Sequence, residues 1–245
     1  MSTLPVNLIV FCTTMGHGGR HTYQDCFHNL RSQIDLSIFS NKLLHLKSRD
    51  GEEHIADEIK SFCSDLDIRV IETKENIVHH SENHLSHSAG YFKDIFTSYS
   101  DPIIREQKYS FWLEDDELIQ TNKTTLEDAF KKSIDFLENN PEQICVRFNR
   151  AKEFKNSDAP YLIEDDNICT QAINSSQYGP TFTFQPNISR TDQIFTAWKE
   201  AQNHLDKLGK IHCEIMSGYF LKKMTDCETP FSFFNPKKVY SKTIG

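Results

Sequence analysis

The chain is expected to fold as an α/β protein, with a mostly parallel central sheet flanked by helices, on three observations. Short β-branched and aromatic runs alternate with stretches whose apolar residues recur at helical spacing, from residue 6 to residue 148. Turns rich in glycine, polar or charged residues separate the two kinds of segment. An acidic cluster stands where one apolar run stops, and open sheets of this kind bind ligands beyond the carboxyl ends of their strands.

In chain order, Val6 to Cys12 reads as a buried strand, and the glycine-rich turn Met15-Gly-His-Gly-Gly19 follows it. A helix then carries Tyr23, Phe27, Leu30 and Ile34 on one stripe. Leu36 to Phe39 reads as the second strand, Lys47 to Glu53 as a charged turn, and Ile55, Ile59, Phe62 and Leu66 as the stripe of the next helix. Ile68 to Ile71 is a third strand. Glu72 to Ser88 is polar and histidine-rich, a loop or an exposed helix start, and Tyr91 to Phe96 is helical with an end near Pro102. Tyr109 to Leu113 is a strand. Thr124-Thr-Leu-Glu127 has capping-box spacing and opens a helix with Leu126, Phe130, Ile134 and Leu137 on one face, closed by Pro141. Ile144 to Phe148 is the next strand.

The second half is less regular. Tyr161 to Ile163 and Thr181 to Phe184 read as strands. Ser189 or Thr191 caps a helix carrying Ile194, Trp198, Ala201, Leu205 and Leu208, and Ile215 to Met224 reads as a short helix. The tail from Pro230 is aromatic and then basic. No internal repeat, linker or low-complexity stretch interrupts the chain, so residues 1–245 are expected to form a single domain.

Composition excludes several classes. With 27 Lys and Arg against 35 Asp and Glu, the net charge is −8, which argues against nucleic-acid partners and a polybasic membrane patch. The longest apolar run, Leu8-Ile-Val-Phe-Cys12, is too short for a transmembrane segment and follows no basic leader. The seven cysteines are odd in number, far apart and without a CxxC pair, so buried reduced thiols in a cytoplasmic protein are expected.

The sharpest chemical feature is Phe111-Trp-Leu-Glu-Asp-Asp-Glu117. Adjacent carboxylates repel one another, and a divalent cation resolves the conflict: Mg²⁺ or Mn²⁺ takes oxygen ligands, commonly one or two carboxylates plus substrate phosphates. A solvated acidic turn is the alternative. The second feature is Cys12-Thr-Thr-Met-Gly-His-Gly-Gly-Arg20, a strand-to-helix turn whose backbone N–H groups and Arg20 suit an anion, or which is a plain tight turn. It has neither the Gly-Lys-Ser/Thr of a P-loop nor the last glycine of a dinucleotide fingerprint. His79, His80, His84 and His87 form a polar segment that reads as exposed surface first, as a ligand or substrate contact second, and only last as a metal site. Glu214, within Ile211-His-Cys-Glu-Ile215, is a first-turn acid or a general base. The basic tail either folds back on a phosphate or is solvated.

A strand with a Thr-rich turn, several βα units and an acidic triplet closing a strand resembles the GT-A-fold glycosyltransferases, nucleotide-sugar enzymes with a DxD-type motif. Trp112-Leu-Glu-Asp-Asp116 is similar to that motif in an E-D-D form. Gly179-Pro-Thr-Phe-Thr-Phe-Gln-Pro-Asn-Ile-Ser-Arg190 resembles the strand-turn-helix after the acceptor region, and Val239-Tyr-Ser-Lys-Thr-Ile-Gly245 the closing segment, with Ser241-Lys242 where many members place a histidine. The resemblance implies a metal-dependent transfer of a sugar from a nucleotide-sugar, UDP-linked by preference, to an acceptor hydroxyl on a glycan. Its nucleotide-binding part would span about 1–120 and its acceptor-binding part about 121–245. Asp116 would be the direct ligand of Mn²⁺ or Mg²⁺, with Asp115 or Glu114 touching the metal or the ribose. Thr13, Thr14, Gly16 and Arg20 would line the nucleotide pocket, and Glu214 would be the base of an inverting enzyme. A nucleotidyltransferase on a related sheet and a non-catalytic carbohydrate- or nucleotide-binding module are the alternatives.

Overall fold

The computed structural model describes residues 3–15, 21–74, 84–148, 161–163, 168–171, 186–203, 224, 231–234 and 240–243. Its sheet begins with four parallel strands, β1 (Leu4–Thr13), β2 (Phe39–Ser48), β3 (Arg69–Lys74) and β4 (Tyr109–Glu114), lying in the order β3-β2-β1-β4. Beyond β4 lies β9 (Asn187–Arg190), antiparallel both to β4 and to the next strand, β6 (Cys145–Arg147). Next come β10 (Phe231–Phe234), parallel to β6, and then the antiparallel β8 (Ile168–Gln171) and β7 (Tyr161–Ile163). Strands β1 to β4, β6 and β10 therefore share one direction, with β9 inserted against them. The expected fold class is what is seen: α/β, mostly parallel, with helices on both faces.

The two faces follow from the alternation of side chains along β1. Val6, Leu8, Val10 and Cys12 meet α1 (Tyr23–Gln33), α2 (Glu53–Asp65) and α5 (Lys123–Asn139). Ile9 and Phe11 meet α3 (His84–Ser100), α4 (Pro102–Arg105) and α6 (Thr191–Gln202). Burial on both faces is why Leu8–Cys12 of β1 and Phe111–Leu113 of β4 read as unbroken apolar runs. Phe111 is the hub of the first face, with ring centroids 4.8 Å from Phe130 and 5.3 Å from Phe148.

Several elements depart from the sequence reading. Leu36–Ile38 is a 3₁₀ turn, and the second strand begins at Phe39 and runs to Ser48, through part of the expected charged turn. The strand is hard to read in the sequence because six of its ten residues are polar, His45 and Lys47 buried among them. The helix near Tyr91 spans His84–Ser100, and Pro102 opens the separate short α4, with Asp101 as its cap accepting from the Ile103 N–H. The cap of α5 is Asn122, whose side chain accepts from the Thr125 N–H at 2.9 Å, so Thr124 lies inside the helix rather than capping it. Ser189 belongs to β9, and Arg190 holds the N-cap position of α6. The expected strand at 181–184 and the short helix from Ile215 to residue 223 lie outside the described residues.

The tail forms a strand. β11 (Ser241–Thr243) pairs antiparallel with β5 (Glu117–Ile119), placing Thr243 opposite Glu117 and Lys242 opposite Leu118. Tyr240 anchors it, its ring 5.8 Å from Phe148. The end of the chain is thereby tied to the strand that leaves the acidic cluster.

Candidate functional site

Because β1 and β4 are adjacent and parallel, the turn after Thr13 and the turn after Glu114 emerge side by side at one edge of the sheet. They are bonded to each other. The Asp115 N–H donates to the Phe11 carbonyl at 3.0 Å. The Asp115 carboxylate accepts at Oδ2 from the Thr13 N–H at 3.4 Å and from the Cys12 thiol at 3.3 Å. Asp115 is only 1% exposed, so it faces inward as a strut between the two turns. Burial, with the Asp115 carboxylate next in weight, pushes the Cys12 thiol well above its ordinary pKa, which keeps it a protonated donor. The expected reduced, buried thiols are seen at Cys12, Cys26, Cys63 and Cys145.

The other carboxylates of the cluster differ in placement. Glu117 is buried beside the tail strand, while Glu114 and Asp116 are half-buried and closer to solvent. Glu114 accepts from the Tyr91 hydroxyl of α3. The cluster presents hard oxygen donors, which suit Mg²⁺ or Mn²⁺. Among the described residues, no group of three or more His, Cys, Asp or Glu side chains gathers as a metal cage. Glu114 and Asp116, half-buried at this edge, are carboxylates of the kind that hold Mg²⁺ or Mn²⁺ together with oxygens of a ligand.

Thr14 is fully buried, and its hydroxyl donates to Glu52 at 2.6 Å and accepts from the Arg49 N–H at 3.0 Å. Its N–H donates to the Lys47 carbonyl at 3.0 Å. This side chain fastens the β1 turn to the start of α2. Thr13 lies at the edge itself, its hydroxyl accepting from the Met15 N–H at 3.2 Å. The structure thus brings together Thr13, Thr14, Glu114, Asp115 and Asp116. Gly16, Arg20, Glu214, His79 and His80 lie outside the described residues, and of His84 and His87 only the backbone, in the first turn of α3, is described.

A second buried polar group stands on the α3 face of the same edge. Asp94 of α3 pairs with Lys47 at 3.0 Å and lies 3.6 Å from His45 Nε2. The Thr73 hydroxyl donates to Asp94 at 3.1 Å, and His45 Nδ1 is 2.9 Å from the Ser98 hydroxyl. Burial works to raise the Asp94 carboxyl, but the hydrogen bond with His45 and the Lys47 ammonium outweigh it and hold its pKa below the usual value. Sequence reasoning missed this group, as it missed Tyr91 and Cys12 as partners of the acidic turn. The one available signal was His45 and Lys47 alternating with the leucines Leu44 and Leu46 in β2.

Among the described residues no helix is long and apolar enough to cross a membrane. No protein-family model matches the sequence, and no curated protein matches it. Among solved structures, mouse xyloside xylosyltransferase 1 in its apo form overlays with a TM-score of 0.44 at 12% identity, covering 92% of this chain and 83% of that one. Core-mannan synthase A from Aspergillus fumigatus, in a Mn/GDP form, overlays with a TM-score of 0.37 at 12% identity, covering 89% of this chain and 69% of that one. Overlaps of this degree assign neither a family nor an activity to the chain.

Proposed function

We propose that the chain is a metal-dependent glycosyltransferase of the GT-A kind, moving a sugar from a nucleotide-sugar, UDP-linked by preference, to an acceptor hydroxyl on a glycan. One observation carries the reading: the acidic turn Glu114–Glu117 closes a parallel strand and is bonded to the turn after β1, on the edge where open α/β sheets take nucleotides. In this reading residues 1–245 are one domain, with the donor half at about 1–120 and the acceptor half beyond it.

Asp116 is assigned as the cation's protein ligand, because Asp115 is engaged by Cys12 and Thr13 and holds the turn in place. Glu114 is assigned to the ribose. The backbone at Thr13 and Gly16, with Arg20, is assigned to the nucleotide, and Thr14 holds that turn to α2 through Glu52. Bound Mn²⁺ or Mg²⁺ supplies positive charge to the diphosphate leaving group. Glu214 is assigned as the base that takes the acceptor hydroxyl's proton in an inverting transfer.

The test is to incubate the protein with Mn²⁺, a panel of UDP- and GDP-sugars and candidate glycans, and to assay the released nucleotide. Metal-dependent release of nucleoside diphosphate, accelerated by a glycan, supports the proposal. Pyrophosphate release with transfer of a nucleoside monophosphate would make the protein a nucleotidyltransferase. Binding of a nucleotide-sugar with no turnover would make it a binding module.

A further inference from the structure

The last residue of β4, Glu114, sits opposite Phe11 of β1 in the parallel register. Tyr91 of α3 completes a group of three. Its ring stands edge-on to Phe11, with centroids 4.8 Å apart and planes at 87°, and its hydroxyl donates to Glu114 Oε1. Tyr91 is 7% exposed, so the phenol is held by packing before any ligand arrives. The helix that carries it is fixed as well. Three residues on, Asp94 bonds to Lys47 of β2 at 3.0 Å and to Thr73 of β3 at 3.1 Å. One further turn along, the Ser98 hydroxyl meets His45 at 2.9 Å. α3 is thus pinned across β1, β2 and β3, with the tyrosine aimed at the acidic turn.

A glutamate has rotamer freedom that is lost on ordering, which opposes binding. A donor already in place removes that cost from ligand binding, because the carboxylate is ordered in the free protein. The surroundings also suit a particular ligand group. Glu114 is bonded to the Tyr91 hydroxyl and sits opposite Phe11 in the register, an environment better matched to a sugar hydroxyl than to a hydrated cation.

We infer that Tyr91 is a positioning residue that holds Glu114 as the acceptor for the ribose 2′-hydroxyl, and so makes the site select ribonucleotides over deoxyribonucleotides. The inference rests on the donor site proposed above, and deepens it by naming what fixes one of its carboxylates.

The experiment titrates UDP and 2′-deoxy-UDP, each with Mn²⁺, into the full chain and its Tyr91→Phe, Glu114→Gln and doubly substituted forms, with urea stability measured on each. Tyr91→Phe keeps the ring on Phe11 and removes only the donor. Its stability is expected to fall only slightly, because the half-buried Glu114 carboxylate can take water instead, its UDP affinity to fall about tenfold, because Glu114 must then be ordered on binding, and its preference for UDP over 2′-deoxy-UDP to collapse. Glu114→Gln leaves the tyrosine in place and reads the same pair from the other side. It should lose the same preference, and the double variant should lose little more than either single one. A Tyr91→Phe protein with the wild-type ratio of the two affinities overturns the inference, as does a double variant whose losses add. A wild-type protein that binds UDP with Mn²⁺ but does not distinguish it from 2′-deoxy-UDP overturns the inference alone. A wild-type protein that binds neither nucleotide overturns the donor site as well.

Discussion

Truncating Asp94 should destabilise the fold far more than its single position in α3 suggests. The Asp94 and Lys47 side chains are each 8% exposed and 3.0 Å apart. At that distance and an effective dielectric of ~20, their Coulomb energy is about 5–6 kcal/mol. Desolvation of the two ions offsets most of it, so the intact pair adds little net stability. Removing one partner is another matter, since it strands the Lys47 ammonium in a buried position. Asp94→Ala is therefore expected to cost about 3–5 kcal/mol in urea unfolding extrapolated to water. Against a total stability of roughly 5–15 kcal/mol, that is a large fraction. Asp94→Leu combined with Lys47→Met removes both charges and should recover much of the loss. The pH dependence follows from the depressed folded pKa of Asp94. A carboxyl lowered in the folded state contributes stability that is complete above its unfolded value of ~4 and is lost as pH falls through the folded value. The gap between wild type and Asp94→Ala should thus be full at neutral pH and shrink below about pH 4. A loss under ~1 kcal/mol for Asp94→Ala, or a double variant whose losses simply add, would refute the reasoning.

Thr14→Val keeps the shape of a fully buried side chain and removes the hydroxyl that bridges Glu52 and the Arg49 N–H, so urea unfolding should register a loss of about 1–3 kcal/mol. Asn122→Ala removes the α5 cap and should cost about 1 kcal/mol by the same measurement, whereas Thr124→Ala should be close to neutral. Glu214→Gln should lower the transfer rate by ~10²–10⁴-fold with donor affinity unchanged. Near-normal transfer in that variant would count against an inverting base at this position.

Legibility in the sequence tracked how local each signal was. β1, β4 and the stripes of α1, α2 and α5 stood out because a few neighbouring residues carry their periodicity. The acidic turn was legible for the same reason: four carboxylates follow directly on an apolar strand. β2 reads too early in the sequence, at Leu36–Phe39, because the His45 and Lys47 that the true strand buries are satisfied by Asp94, Thr73 and Ser98, residues far along the chain. β9 was hidden because its residues, Asn187-Ile-Ser-Arg190, are mostly polar and are paired by β4 and β6, strands distant in sequence. The same distance hid the bonds of Tyr91 to Glu114 and of Cys12 to Asp115. The sequence could nominate carboxylates, but it could not distinguish Asp115, turned inward, from Asp116, nearer the surface.

The claim that this edge takes a nucleotide through a divalent cation is tested most directly by calorimetry of UDP, with and without Mn²⁺, on the wild-type protein and on Asp116→Ala. The account predicts binding by the wild type that requires Mn²⁺, and none above background by Asp116→Ala at unchanged stability. Equal affinity in the two proteins, or binding that ignores the metal, would contradict it.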